Sequence, residues 1–367
     1  MNFTIQTKIL KEALMKASKI SAKKNIVELY TMSYFVIREN KLDLITSNEY
    51  CTLTQEYEVT SSKDFNFFVE THKLKKVIST IKTTELNIEL DENGITTING
   101  NALTLPTFTH KFILPKHENK VEVKLETKDL LPAIEAALTS VGLPKNVYQP
   151  EFLGVAIVHN TDSIDIVGSD KFRLTLTNIK VDSIPEGETY IMPSKTAKLI
   201  LNLYKSDNVT LSFGTDNMRI TSGNITLLSD YQEGRFPDVR KILPTTFENT
   251  YKVNTSEFLN GLDAIKYVTD GNIINHTMQI TVQPASNTIL LSAKNDDEEN
   301  ASITIKMTEY TGIEEEFVEN VNASFLRDYL KLVKTENVLF ESTRGKPMVL
   351  SPENQKEKQV YLLAKLR

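Results

Sequence analysis

The sequence is poor in the residues that usually build covalent or metal-dependent sites. Cys51 is the only cysteine among 367 residues. That excludes an internal disulfide and any Cys-rich metal centre, and it fits a reducing compartment. The 13 glycines and 12 prolines are too few for collagen-like or low-complexity sequence or for long flexible linkers. No apolar run approaches the roughly 18 residues needed to span a bilayer. The opening MNFTIQTKILKEAL lacks the layout of a secretory signal, so a cytoplasmic protein with no membrane partner is expected. His72, His110, His117, His159 and His276 are scattered, without an HExxH pair or comparable metal spacing. There is no G-x-S-x-G elbow for a hydrolase serine. The net charge of −6 counts, at first sight, against nucleic-acid binding.

What is present is repetition. FTIQTKILKEAL (3–14), VKLETKDLLPAI (123–134) and YKVNTSEFLNGL (251–262) each read as a short strand, a threonine and an amphipathic helix. Thr7, Thr127 and Thr255 occupy the expected N-cap position, where a hydroxyl accepts from an orphan backbone N–H. A second triplet, anchored on Val69, Ile191 and Val318, reads strand, helix, strand. Both triplets recur at about 120–128 residues, too long for a common solenoid and right for whole domains. Alternating stretches between the helices, such as 34–48, 152–170 and 279–296, indicate antiparallel hairpins. The expected fold is α+β: three tandem domains, 1–119, 120–246 and 247–367, each with two helices packed on antiparallel sheets.

Helices are expected over 7–24, 72–82, 127–141, 194–205, 255–267 and 323–334. Their summed charge is strongly positive, so the rest of the chain must be far more acidic than the total suggests. Lys8, Lys16, Lys19 and Lys23 recur near helical spacing, as do Lys195, Lys198 and Lys205, and Arg327, Lys331 and Lys334. Lys73 and Lys76 add to the second helix. A basic surface without base-reading motifs points to phosphate contact that is sequence-independent and salt-sensitive.

Chemistry finds little footing. RGKP (344–347) lacks the leading Gly and trailing Ser/Thr of a phosphate loop and reads as a turn. The run Asp296, Asp297, Glu298 and Glu299 reads as a solvated acidic loop. Cys51 is expected only to pack. Neither a catalytic residue nor a cofactor or metal is expected.

YQEGRFPDVRKILP (231–244), VGSDKFRLTL (167–176), the opening MNFTIQTKILKEAL and the closing QVYLLAKLR together resemble the bacterial DNA sliding clamp family, the beta subunit of DNA polymerase III. The resemblance runs over essentially the whole chain. It implies a head-to-tail homodimeric ring of six domains that encircles duplex DNA without sequence preference and serves as a processivity factor. Polymerase III catalytic subunit, clamp loader and other proteins would dock through short peptides.

The resemblance places Lys24, Lys195, Asn146 and Tyr148 facing DNA, with Lys145 adding charge. It also implies a hydrophobic peptide pocket formed by Phe152, Ser169, Lys171, Phe172, Arg173, Leu174, Pro237, Lys241, Ile242, Pro347, Met348 and the tail Leu362, Leu363, Ala364, Lys365, Leu366 and Arg367. For the dimer interface it implies Leu103 and Leu105 against Val268 and Thr269. Lys75 and Lys76 would face the acidic 296–299 run. Three departures mark a divergent member: Lys171-Phe172 replaces the family's Gly-His, the tail lacks its proline near Ala364-Lys365, and the proline-rich segment is missing around 25–31. Two other readings stay open: a clamp-derived partner-binding protein that does not encircle DNA, and a DNA-processing enzyme with a cryptic site.

Overall fold

The computed structural model describes residues 1–366 apart from 92–94, 100, 107–112, 146, 205–206 and 272–275; for 95–96 and 101–106 it describes the backbone alone. The first stretch runs β1 (Asn2–Gln6), α1 (Thr7–Ile20), β2 (Met32–Arg38), β3 (Lys41–Ser47), β4 (Cys51–Glu58), β5 (Thr60–Ser61), β6 (Phe65–Glu70), α2 (Thr71–Thr80), β7 (Glu85–Leu90), β8 (Ile95–Ile98) and β9 (Asn101–Pro106). The second runs β10 (Asn119–Glu126), α3 (Thr127–Ser140), β11 (Gly154–Asn160), β12 (Ser163–Ser169), β13 (Arg173–Lys180), β14 (Thr189–Pro193), α4 (Ser194–Leu203), β15 (Asn208–Gly214), β16 (Asn217–Ser222) and β17 (Ile225–Asp230). The third runs β18 (Asn249–Asn254), α5 (Thr255–Ala264), α6 (Lys266–Asp270), β19 (Thr277–Gln283), β20 (Thr288–Lys294), β21 (Asn300–Thr311), β22 (Phe317–Asn322), α7 (Ala323–Leu330), β23 (Asn337–Ser342), β24 (Met348–Pro352) and β25 (Gln359–Leu363).

The compact units do not coincide with the repeats. One comprises residues 1–128 and 198–231, the other 129–197 and 232–367. Sheet pairing explains the split. In the first unit β17 of the second stretch pairs antiparallel with β4 of the first, giving the order β10-β15-β16-β17-β4-β3-β2-β6. A separate sheet there runs β5-β1-β7-β8-β9. In the other unit β13 pairs with β25, which closes the order β14-β11-β12-β13-β25-β24-β23-β18-β21-β20-β19-β22.

Apolar spacing puts one face of each helix into a core. Leu10, Ala13 and Leu14 of α1 join Leu74 and Ile78 of α2 against Phe3, Phe35 and Phe67. Phe258, Leu262, Leu326 and Leu330 do the same against Tyr251, Ile280 and Phe340. Each Leu, Ile or Phe among them contributes about 1.5–3 kcal/mol on burial.

The threonine caps are a correction. Thr7, Thr127 and Thr255 are the first residues inside their helices. Their hydroxyls are buried and form no hydrogen bond. Each backbone N–H instead donates to the residue preceding a returning strand: Thr7 to Thr84 (2.9 Å), Thr127 to Asp207 (2.8 Å) and Thr255 to Glu336 (2.8 Å). That bond turns the threonine side chain into the core. Capping falls to the preceding residue where it can accept: Asn254 Oδ1 takes the Glu257 N–H at 3.0 Å.

Helices are also shorter than expected, and the fifth divides into α5 and α6. α1 ends at Ile20, leaving Lys23 and Lys24 in the following loop. α7 ends at Leu330, where Leu332 and Val333 N–H groups reach back only three residues, to Tyr329 and Leu330. This tightening removes Lys331 and Lys334 from the helix.

Burial of His159, 1% exposed on β11, pushes its imidazole down to about 4 from the ordinary 6.5. The folded chain therefore refuses a proton that the unfolded chain accepts as pH falls below 6.5. Stability should drop by roughly 3 kcal/mol between pH 6.5 and 4 through this group, and level off below. Urea unfolding of wild type and His159→Leu across that window should show the variant losing correspondingly less. Parallel curves would contradict the assignment.

Candidate functional site

The segment resembling the peptide pocket centres on the β12–β13 turn. Asp170 Oδ1 accepts from the backbone N–H groups of Phe172 and Arg173, both at 3.0 Å, and Oδ2 accepts from Arg173 Nε at 3.0 Å. The Ser169 hydroxyl donates to Arg173 O (2.9 Å) and accepts from the Lys171 N–H (3.2 Å). Lys171 closes the turn at φ +78, a left-handed conformation that suits glycine better than lysine. Its ammonium lies 5.5 Å from the centre of the Phe152 ring. The carbonyl of Phe172 accepts the Ala364 N–H at 2.8 Å, so the tail pins the turn while the Phe172 side chain stays 61% exposed.

Beneath the turn, Phe152, Leu174 and Leu362 share a core cluster with Phe236 and Val239. Phe152 and Phe236 rings sit 5.6 Å apart, which brings the loop carrying Pro237, Lys241 and Ile242 to the same place. Ile242 is 53% exposed, and Lys241 pairs with Asp238 at 3.0 Å. Pro347 is half-buried beside Met348. Met348 and Leu363 pair across β24 and β25 but are fully buried among Tyr361 and Phe340. They hold the site up from below instead of lining it. The tail is anchored as well: Lys365 Nζ is 2.6 Å from buried Glu319 and 2.8 Å from Thr343 O, and the Leu366 N–H donates to Asn320 O at 2.8 Å. Arg367 lies outside the described residues.

Arg173 reaches residues that no sequence pattern connects to the turn. Its guanidinium carbon lies 4.0 Å from the centre of the Phe325 ring, and Nη1 is 3.3 Å from Asp328 on α7. The 155 residues between Arg173 and Asp328 leave no local signal of this contact.

The basic residues differ in what they offer. Lys8, Lys19, Lys23, Lys24, Lys76, Lys145, Lys195, Lys198, Lys331 and Lys334 are exposed, and Lys16 is partly so. Lys19 also donates to Asn202 O (3.2 Å), and Lys73 pairs with Glu70. Arg327 is largely covered and paired with Asp263 of α5, so its charge is already matched, unlike the exposed stripe expected of it. Tyr148 is almost fully exposed, while Asn146 and Lys205 lie outside the described residues.

Among the residues expected at a dimer interface, Leu103 and Leu105 fall on β9, described by backbone alone. Val268 and Thr269 are buried in their own core because α6 turns them inward. Their neighbour Tyr267 is the exposed one. Lys75 donates to Ser18 Oγ at 2.8 Å. Asp296, Asp297, Glu298 and Glu299 are exposed in a loop organised by Asn295, whose Oδ1 accepts from the Asp297 and Glu299 N–H groups.

A Ser–His–Asn series exists away from this site. His117 Nδ1 donates to Asn217 Oδ1 at 2.8 Å, so Nε2 accepts from the Ser212 hydroxyl at 2.7 Å. The order matches that of nucleophilic catalysis. Ser212, however, is 2% exposed within β15, where no substrate carbonyl reaches it, and the series straps residues 116–117 to the β15–β16 hairpin. Burial pushes the Cys51 thiol up to about 12, which keeps it protonated. Among the described residues no three His, Cys, Asp or Glu side chains converge as a metal site requires. Among those residues no helix is long and apolar enough to cross a membrane.

Comparison with known proteins covers the whole chain. It matches family models for the DNA polymerase III beta subunit: the N-terminal domain over residues 1–112, the central domain over 124–238 and the C-terminal domain over 240–365. The beta sliding clamp of Rickettsia felis is 22% identical over 383 residues, covering 99% of each chain. The crystal structure of the Pseudomonas aeruginosa DNA polymerase III beta subunit superposes with a TM-score of 0.92 at 17% identity, covering 100% of both chains. The Helicobacter pylori beta clamp bound to a DNA ligase peptide gives 0.88 at 19% identity, also covering 100% of both. Three consecutive domain matches, in order and nearly end to end, show that this chain belongs to the DNA polymerase III beta subunit family, the bacterial sliding clamps.

Proposed function

We infer that the chain works as a processivity clamp: two copies close head to tail around duplex DNA and tether replication proteins through the cleft at the β12–β13 turn. Residues 1–119, 120–246 and 247–367 are its three clamp domains. The observation that carries the ring is a pair of open sheet edges. β9 ends the five-stranded sheet. β21 pairs with β20 through Asn300–Lys306 but with β18 only from Met307 onward, so its first half has one edge unpaired among the described residues. An open edge is a template for another strand. β9 of one copy against the start of β21 in the next gives a heterologous contact that closes with two copies.

The exposed lysines support loose phosphate contact: Lys8, Lys19, Lys23 and Lys24 with the partly exposed Lys16, then Lys195 and Lys198, then Lys331 and Lys334. Topology does the holding, so these contacts need only be weak and salt-sensitive. The chain itself is non-catalytic on this reading and works in the cytoplasm. The peptide role is supported by the Helicobacter pylori relative, which holds a DNA ligase peptide.

The clamp, loaded by a bacterial clamp loader with ATP onto a nicked circular plasmid, should co-elute with that DNA. It should be lost once a single restriction cut gives it ends to slide from. Protein that stays on the linear DNA, or never associates with the circle, would refute encirclement.

A further inference from the structure

The contact between Arg173 and α7 assigns work to a residue outside the cleft. We propose that Asp328 is a positioning residue for peptide binding, acting through Arg173; this rests on the cleft reading above.

The β12–β13 turn carries a cost. Lys171 sits at φ +78, and a non-glycine residue there needs support from its surroundings. The support is Asp170, whose two carboxylate oxygens accept the Phe172 N–H, the Arg173 N–H and Arg173 Nε. Oδ1 holds the two backbone N–H groups, and Oδ2 keeps its bond only while the Arg173 side chain stays folded back over its own turn. Two groups from the third repeat keep it there. The Phe325 ring lies under the guanidinium, its centroid 4.0 Å from Cζ, and Asp328 Oδ2 takes Nη1 at 3.3 Å. The surrounding platform is rigid: the Tyr361 hydroxyl donates to Phe325 O at 3.0 Å, and the Tyr361 and Tyr329 rings stack 4.3 Å apart. Arg173 is 12% exposed, so its charge needs partners on both sides.

Asp328 is left available by its neighbour. Arg327 turns the other way, to Asp263 on α5. The Asp328 carboxylate is about half exposed and, among the described residues, its ion pair to the turn is with the guanidinium, so its influence on a peptide passes through the arginine. Removing its charge frees one arm of Arg173 and loosens the Asp170 clamp. Lys171 and Phe172 in the turn are then no longer held in one arrangement. A pre-organised turn shows chiefly in the dissociation rate.

Full-length protein is titrated into a fluorescein-labelled DNA ligase peptide, followed by anisotropy and stopped-flow, with circular dichroism confirming each variant folded at the assay temperature. Asp328→Asn should raise Kd about tenfold, mainly through faster dissociation, and Asp328→Glu should stay within about threefold of wild type. In an Arg173→Gln background, Asp328→Asn should add no more than about twofold, because the group it acts through is gone. An unchanged Kd in Asp328→Asn overturns the proposal. So does the same tenfold loss with and without Arg173, since that is what general loosening of α7 would produce. Wild type that ignores the peptide overturns the cleft reading itself, and is recognisable because no variant then differs from it.

Discussion

Gly168→Ala is expected to be the most damaging single methyl group that can be added to this protein. Gly168 lies on β12, a strand buried along its whole length, with α3 packed across it. A Cβ at this position would overlap the Ala137 carbonyl oxygen and stand 2.7 Å from its carbon and 3.0 Å from its Cα. All three atoms belong to helix backbone, which cannot rotate aside as a side chain would. The helix must lift from the sheet. It carries Leu130, Ala133, Ile134 and Ala137 into the core, so lifting strips a whole apolar face. The cost should be about 3 kcal/mol or more, at the upper end of overpacking. The unfolding midpoint should fall by roughly 6–12 °C. Calorimetry of Gly168→Ala showing a shift under about 2 °C would mean that the approach of α3 is not as close as described.

The second large effect concerns the cleft. Aspartates at Phe172 and Ile242 should raise the Kd for the DNA ligase peptide at least about a hundredfold while leaving stability within about 0.5 kcal/mol. The reason is exposure: both side chains stand out from the surface, and their backbones keep every hydrogen bond after substitution. Aspartates at Met348 and Leu363 would behave differently. Both are fully buried, so a carboxylate there would unfold the third repeat before it could report on a peptide. Intact affinity in a folded Phe172→Asp/Ile242→Asp protein would remove the cleft from that loop.

The sequence makes some of this legible and hides the rest for identifiable reasons. The threefold repeat and the helix positions are visible because apolar spacing at 3.6 and 2 is imposed by burial itself. Helix ends are overrun because lysines such as Lys23 and Lys334 continue the helical spacing after the backbone has left the helix. The threonines are misassigned because a hydroxyl that could cap and a hydroxyl packed beside a methyl are the same residue; only the N–H bonds to Thr84, Asp207 and Glu336 separate them. Val268 next to Tyr267 shows a similar limit, since the short helix α6 decides which of two neighbours faces out. The β12–β13 turn stands out through its family resemblance, whereas Phe325 and Asp328 meet Arg173 from far along the chain and leave no trace in local pattern.

Among the described residues the second repeat has no sheet of its own. β15, β16 and β17 join β4, while β11, β12 and β13 join β25. Its two halves therefore belong to different cooperative blocks, and native-state hydrogen exchange should divide within this repeat instead of at its ends. Slow amides of β16 and β17 should open together with β3 and β4, and those of β12 and β13 with β24 and β25. The same arrangement makes the middle repeat a poor module to excise. Cutting at its sequence boundaries would bare β17 along one side and β13 along another, two long open edges inviting aggregation. Duplication of a domain has here produced a chain whose evolutionary unit and folding unit are out of phase.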